Sequence, residues 1–466
     1  MKILIIGIGK LGAKLASTLS ASNADVTVMD NDIDVLQNIS DRMDVLTIHA
    51  NGIEASALRE LDVKSYDLAI ASTGSDKNNI ICCSMLKKMG CTNVIARIRD
   101  PEFVRQQAFI QENMQIDYAV NPELSTAREI IRFLTHPIPY RNTDFAEGQI
   151  LIVNIPAEKL PQWWGIALKD MKMRDEGDFL ITAIKRDGNI IIPDGQTVIK
   201  RSDILYIIGH TQKILAFVKK KMLAKKNWQL QRAMIIGGGH IGYYLANELA
   251  NQNIETKVID KDPVRCEYLT ENLPANVKII CASGSDMELM ENEGLSDMDA
   301  FIGVTGHDEE NLLMTLMAKY TGVDRVVAKV SRSNYVNIIE QLGADAAFST
   351  VDITASDILR YARGKGMLSL SVVLGGQAET VEFLIGDNPK IIGKPLSALT
   401  IPSGVVFASL RKKNHIIIPK GSTTLEPGDQ LVAFCLPSML PKLEKFIYAK
   451  KEGSFYELWN SRKNNR

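Results

Sequence analysis

Ile3-Leu4-Ile5-Ile6-Gly7-Ile8-Gly9-Lys10-Leu11-Gly12 stands at the start of the chain. Four consecutive apolar residues suit a central strand of a parallel sheet, covered on both faces, and a helical pattern begins directly after Gly9. The stretch therefore predicts a strand, a tight turn and a helix. In such a turn Gly7 permits the bend, Gly9 lets backbone approach a pyrophosphate, and Gly12 lets the helix pack against the strand. The first turn of the helix then offers unpaired N–H groups and partial positive charge to an anion.

A G-x-G-x-x-G spacing alone is weak evidence, because glycines also fill ordinary turns. Its continuation is more informative. Asp30 closes the next apolar strand, Val26-Thr27-Val28-Met29, 18 residues beyond Gly12. A carboxylate there can accept both hydroxyls of an adenosine ribose and repels a 2′-phosphate. NAD or NADH, or the adenosine of ATP or ADP, is expected in preference to NADP.

The whole pattern occurs twice. Gly7-Ile8-Gly9-Lys10-Leu11-Gly12 returns as Gly237-Gly238-Gly239-His240-Ile241-Gly242, and Asp30 returns as Asp260, at one common spacing of 230 residues. Leu11, Leu15 and Leu19 map onto Ile241, Leu245 and Leu249; a step of four lays each trio along one helical face. Thr73-x-x-Asp76-x-x-Asn79 returns as Thr305-x-x-Asp308-x-x-Asn311, and Val94-Ile95-Ala96-Arg97 as Val326-Val327-Ala328-Lys329. Repetition on this scale fixes the architecture before any other feature is read.

A second pattern follows each α/β module: Ile190 to Gly195 matches Ile416 to Gly421, and Asp203 matches Asp429. Short β-branched runs broken by Asp-Gly, Pro-Asp-Gly or Pro-Gly-Asp read as small α+β domains. The expected organisation is two Rossmann-like parallel-sheet domains, 1–140 and 232–368, each followed by a small α+β domain, 148–217 and 377–446. Between the halves, Lys219 to Arg232 carries six basic residues and no acidic one. With only Trp228 interleaved, it reads as a helix end and linker, 219–231, rather than a nucleic-acid patch.

Composition narrows the function. Apolar residues make up 45% and charged residues 23%, as in a folded protein. The formal charge is −1, from 54 basic and 55 acidic side chains, so no global field attracts nucleic acid or anionic lipid. No apolar run approaches the length of a bilayer crossing, and no cleavable signal precedes the first strand, which implies a cytoplasmic location. Cys82, Cys83, Cys91, Cys266, Cys281 and Cys435 form no C-x-x-C pair, and buried free thiols are expected rather than a metal site.

Thr73 and Gly74 follow the apolar strand Leu68-Ala69-Ile70-Ala71, at the carboxyl edge where α/β sheets bind ligands. Thr305 and Gly306 repeat them. Arg97 can pair with phosphate or with nearby Asp100. Lys10 and His240 share one loop position, where a cation reaches a terminal phosphate or a neighbouring subunit's nucleotide, or stands as an exposed first-turn side chain.

Several stretches carry a family likeness: Ala71-Ser72-Thr73-Gly74-Ser75-Asp76, Ala96-Arg97-Ile98-Arg99-Asp100-Pro101, Asn121-Pro122-Glu123, Phe145-Ala146-Glu147-Gly148 and Glu426-Pro427-Gly428-Asp429. With them the chain resembles, over nearly its full length, the TrkA family: peripheral regulatory subunits of Trk-type potassium uptake systems, built of tandem RCK N- and C-terminal domains. The resemblance implies binding of NAD(H) and ATP or ADP, a ring of eight RCK units, hence a homotetramer, and docking on the inner face of the plasma membrane. The expected partner is a membrane potassium-translocating subunit. The resemblance also carries the loop glycines, Asp30, Thr73, Gly74, Arg97 and their second-half counterparts over as binding residues. Asn51-Gly52 and Ser283-Gly284 depart from the Gly-Asp that often follows the third strand in this family, and Lys329 in place of Arg97 loses a fork geometry, so the two sites are expected to differ.

Two enzymatic readings compete. A dehydrogenase needs a proton-transfer group beside the nicotinamide, and His49, His136, His210 and His415 lie far apart in sequence. Nucleotide hydrolysis needs a phosphate loop of the G-x-x-x-x-G-K-[ST] type, which is missing. A binding protein, not an enzyme, is the expectation.

Overall fold

Strand β1 (Lys2–Ile6) is covered on both faces, as its unbroken apolar run requires, with Ile3, Leu4 and Ile5 fully buried. It pairs in parallel with β2 (Asp25–Asp30) on one side and β4 (Leu68–Ala71) on the other. With β3 (Leu46–His49), β5 (Val94–Arg97) and β6 (Tyr118–Val120) these make a six-stranded parallel sheet in the order β3-β2-β1-β4-β5-β6. The order reverses between β1 and β4, and that switch point opens a crevice at the carboxyl ends of the strands. This computed structural model describes all residues except 22–23, 136–148, 172–178, 223–227, 363–366, 374–377, 414 and 449–466. Phe145 to Gly148, His136 and the middle of the basic stretch thus lie outside the described residues.

The second half repeats the sheet. Strands β11 (Arg232–Ile236), β12 (Glu255–Asp260), β13 (Val277–Cys281), β14 (Ala300–Gly303), β15 (Arg325–Val330) and β16 (Ala346–Ser349) take the order β13-β12-β11-β14-β15-β16. The strands β7 to β10 come between the two sheets in sequence and are given below. The helices after the glycine turns run Lys10–Ala21 and His240–Asn251. Leu11, Leu15, Leu19, Ile241, Leu245 and Leu249 are all buried, and covering each leucine contributes about 2 kcal/mol. Met1–Leu134 and Leu230–Ala362 together form one compact unit, so the two Rossmann-like halves share an interior boundary.

The small sheets belong to a second unit, 135–229 with 363–466. One consists of β7 (Ile150–Pro156), β8 (Phe179–Arg186), β9 (Asn189–Ile191) and β10 (Ile204–His210), antiparallel in the order β7-β10-β8-β9. Asp187-Gly188 turns β8 into β9 with both residues at positive φ, 51° and 81°, the geometry that matches strand twist in a tight hairpin. The helix Thr211–Met222 carries on past 217, so the start of the basic stretch is helical. The other sheet, β17 (Met367–Val373), β18 (Ala378–Leu384), β19 (Val405–Lys412), β20 (His415–Ile417) and β21 (Gln430–Cys435), runs in the order β17-β18-β21-β19-β20. Ile150, Ile152 and Ile208 of the first share a core with Ala408 and Val432 of the second.

Candidate functional site

Both glycine turns are built by close approach. Gly7 has φ of +89° and Gly237 +104°, and a Cβ on Gly12 or Gly242 would stand 2.2 or 2.0 Å from the carbonyl oxygen of Gly7 or Gly237. Ser72 Oγ donates to that Gly7 carbonyl at 2.8 Å, a bond that the second half lacks because Val304 stands in the corresponding place. Gly9 and Gly239 differ from these: no described atom lies within 4 Å of where their Cβ would be. Their backbone is therefore open, as contact with a phosphate requires. Ile8 is buried, whereas a side chain on its counterpart Gly238 would strike Leu269 Cδ1 at 2.4 Å.

The two acids are held identically. Asp30 Oδ2 accepts the Ile8 N–H at 2.6 Å and Oδ1 the Asp32 N–H at 3.0 Å; Asp260 accepts from Gly238 at 2.6 Å and Asp262 at 2.9 Å. Each carboxylate is thereby pinned against its glycine loop while keeping further lone pairs for a ligand. The glycines of the turns after β3 and β13 serve packing, since a Cβ on Gly52 or Gly284 would meet Ile6 Cγ2 at 2.5 Å or Ile236 Cγ2 at 2.1 Å.

The repeated Thr-x-x-Asp-x-x-Asn motif proves to be a clamp. Asn79 Oδ1 accepts the Thr73 N–H at 2.9 Å and the Thr73 hydroxyl at 2.6 Å, and its Nδ2 donates to the Arg97 carbonyl at 2.9 Å. Asn311 repeats this with Thr305, at 2.8 and 2.8 Å, and with the Lys329 carbonyl at 3.0 Å. Both threonines therefore spend amide and hydroxyl on the asparagine, and the clamp fixes the strand that presents Arg97 or Lys329. Asp76 holds the next loop by accepting the N–H groups of Arg99 and Asp100, and Asp308 holds its counterpart at Ser331. Arg97 makes no ion pair with Asp100, whose side chain caps the helix Pro101–Arg105. Its guanidinium lies 4.0 Å from Glu123 Oε1.

A cavity of about 480 Å³ lies between the two halves. Lys10, Arg97 and Arg99 reach it from the first half, His240 and Lys329 from the second, and Glu123 is the one carboxylate on its wall among the described residues. Leu11, Gly239, Ile241, Thr305 and Gly306 also border it, whereas Gly7, Gly12, Asp30, Thr73, Gly74 and their counterparts Gly237, Gly242 and Asp260 do not. The candidate residues thus divide into a carboxylate end within each half and a cationic end shared between them. Burial lowers the pKa of Arg97 and of Lys329, and raises that of Glu123 against the opposing pull of Arg97. Arg97 Nε, Glu123 Oε2 and Thr350 Oγ1, all on residues of this wall, have no hydrogen-bond partner among the described residues. Unpaired buried polar atoms of both signs fit a site for a polar, charged ligand.

Arg99, Glu123, Ser331 and Thr350 were not legible as site residues, because the sequence says nothing of which loops of the two halves meet. The first turn of the helix His240–Asn251 makes that junction. His240 Nδ1 lies 3.1 Å from the Arg99 carbonyl oxygen, which also accepts from Tyr244 Oη at 3.2 Å. Asn121 Nδ2 donates to the same hydroxyl at 3.1 Å, and Arg105 donates to Tyr243 at 2.9 Å. On the other side Lys14 pairs with Asp352 at 3.2 Å and Ser125 donates to Asp357 at 2.7 Å. Of the cysteines, five are buried as expected, but Cys281 is exposed.

Known proteins resemble the chain along both halves. The TrkA-N domain matches residues 3–122 and 233–350, and the TrkA-C domain matches 155–221 and 380–448. The protein named Trk system potassium uptake protein TrkA homolog 2 from Methanosarcina mazei is 31% identical over 455 residues, 96% of this chain and 100% of its own. Trk system potassium uptake protein TrkA from Haemophilus influenzae is 29% identical, over 96% of this chain and 98% of its own. Among solved structures, the GsuK channel aligns with a TM-score of 0.59 at 17% identity, over 100% of this chain and 79% of that one. The GsuK channel bound to NAD gives 0.58 at 18%, over 96% and 79%. These two share the fold, while the curated relatives are named for potassium uptake and not for hydride transfer. The chain, with both domain types present twice, belongs to the TrkA family.

Proposed function

We propose that this protein is a nucleotide-responsive regulatory subunit of Trk-type potassium uptake. It takes NAD(H) and ATP or ADP in the two crevices, with ribose hydroxyls on Asp30 and Asp260 and phosphates over the open glycines. The carrying observation is the cavity in which Lys10, Arg97 and Arg99 of one half meet His240 and Lys329 of the other. Phosphates extending from either crevice into it touch both halves at once, so binding favours one arrangement of the halves over another. A coupling of about 1–3 kcal/mol per site suffices to transmit such a preference. The NAD-bound GsuK channel is a precedent for the ligand on a shared fold.

The chain is proposed to form a homotetrameric ring of eight RCK units that docks on the cytoplasmic face of a membrane potassium-translocating subunit and controls its opening. No helix among the described residues is long and apolar enough to cross a membrane. Ile81 on the helix Asp76–Lys88 and Leu313 on the helix Asp308–Tyr320 occupy matching positions and are 47% and 60% exposed. Recurrence of one exposed apolar position in both halves suits a repeated contact between copies.

Calorimetric titration with NADH, ATP and ADP tests the binding reading, and no binding of any of the three ends it. Potassium flux into liposomes carrying the membrane subunit, with and without this chain and nucleotide, tests the control. Flux indifferent to both refutes the regulatory role.

A further inference from the structure

Cys266 and Cys281 flank the main chain of Asp260, the acid of the second crevice. Cys266, on the helix Pro263–Asn272, donates its thiol to the Asp260 carbonyl at 3.3 Å. That same carbonyl oxygen accepts the N–H of Ala282 at 2.9 Å, and Cys281 is the direct register partner of Asp260 across β12 and β13. Helix and strand thus place a buried cysteine, through its sulfur, and an exposed cysteine, through its backbone register, beside one residue. The first half has nothing similar: Leu36 stands at the position of Cys266, and His49 is the register partner of Asp30.

We infer that Cys266 and Cys281 form a peroxide-sensitive dithiol, a modification site that acts on the second glycine loop and leaves the first untouched. The exposed Cys281 reacts first. Its thiolate attacks a peroxide oxygen, an S–O bond forms as the O–O bond breaks, and the departing hydroxide takes up a proton as water, leaving a sulfenic acid. Cys266 then attacks the Cys281 sulfur: the S–S bond forms, the S–O bond breaks, and hydroxide leaves with the Cys266 proton as a second water. Two thiols are oxidised and one peroxide is reduced to two waters. Burial, and then hydrogen bonding with Cys281, push the Cys266 thiol up to about 12, which leaves the exposed Cys281 to react with peroxide first.

The loop feels this through the residue beside Cys266. Arg265 Nε donates to the Gly238 carbonyl, and its guanidinium lies 4.5 Å from the centre of the Tyr268 ring. A disulfide requires the sulfurs to close to about 2 Å, which draws the start of this helix toward β13 and takes Arg265 off Gly238.

The full chain, treated with limiting hydrogen peroxide, blocked with an alkylating reagent and mapped by mass spectrometry, tests the inference. The expected result is a Cys266–Cys281 cross-linked peptide within one chain, with loss of alkylation at both residues. Cys266→Ser should stop at a Cys281 sulfenic acid trapped by dimedone, and Cys281→Ser should leave Cys266 reduced. Hydrogen exchange adds a readout that needs no nucleotide: oxidation should speed exchange at Gly237–Ile241 and not at Gly7–Leu11. Failure of the intrachain cross-link to form, Cys281 pairing only between chains, or equal exchange in both loops overturns the inference.

Discussion

In the proposed function, ligand choice turns on Asp30 and Asp260. Each accepts one backbone N–H at each oxygen, so Asn keeps one of the two bonds to the backbone and removes the charge. A charged hydrogen bond contributes about 1.5–3 kcal/mol; the double variant Asp30→Asn, Asp260→Asn should therefore bind NADH roughly ten- to hundredfold more weakly. Its discrimination against NADPH should shrink, because nothing then repels the 2′-phosphate. Titration with both nucleotides measures the two effects together. Lys329 gives a pH dependence. Burial first, and the charge of Lys10, lower its pKa from the ordinary 10.5, against the opposing pull of Asp308. Between the lowered value and 10.5 the unfolded chain holds the proton that the folded chain has released, so stability rises with pH in that window. For an anion in the cavity the sign is opposite: affinity falls as pH climbs through the lowered value. Lys329→Arg should flatten this alkaline decline of ADP affinity, since a guanidinium stays charged.

At the scale of the element, the turn from β1 into the helix Lys10–Ala21 puts a tightly packed glycine and an open one within six residues. A methyl on Gly12 would collide with the Gly7 carbonyl, a backbone atom with no room to yield, whereas a methyl on Gly9 points into open space. Gly12→Ala should cost about 1–3 kcal/mol, read as a lowered denaturation midpoint. Gly9→Ala should keep that midpoint and weaken nucleotide binding, because the methyl occupies the approach of the phosphate. Equal effects of the two substitutions on stability would contradict the geometry. Much of this element was legible beforehand: the apolar run, the glycine spacing and the leucine step of four gave strand, turn and helix. The Thr-x-x-Asp-x-x-Asn repeat was visible too, yet its work as a clamp was not, because its partners Arg97, Arg99 and Asp100 lie on another strand and loop.

For the whole molecule, the question is how one half learns what the other holds. The helix that follows the second glycine loop carries Tyr243, Tyr244 and His240 onto the backbone and side chains that frame Arg97 and Arg99. Tyr244→Phe removes a hydroxyl that donates to the Arg99 carbonyl and accepts from Asn121. It should cost about 1–2 kcal/mol in stability and uncouple the crevices. Titrating ADP into protein already saturated with NADH checks this: the shift in apparent Kd seen with the parent protein should shrink in the variant.

Duplication, the parallel sheets and the two acids were determined by the sequence itself, because strand burial, turn geometry and helix faces are local or periodic properties that one chain of letters displays. The cationic cavity and the convergence of Cys266 and Cys281 on Asp260 were decided only by tertiary structure. They depend on which loops of separate modules face each other, and that follows from packing of whole surfaces. Lys10 and Lys329 are 319 residues apart in sequence, and nothing short of the folded unit places both on one cavity wall.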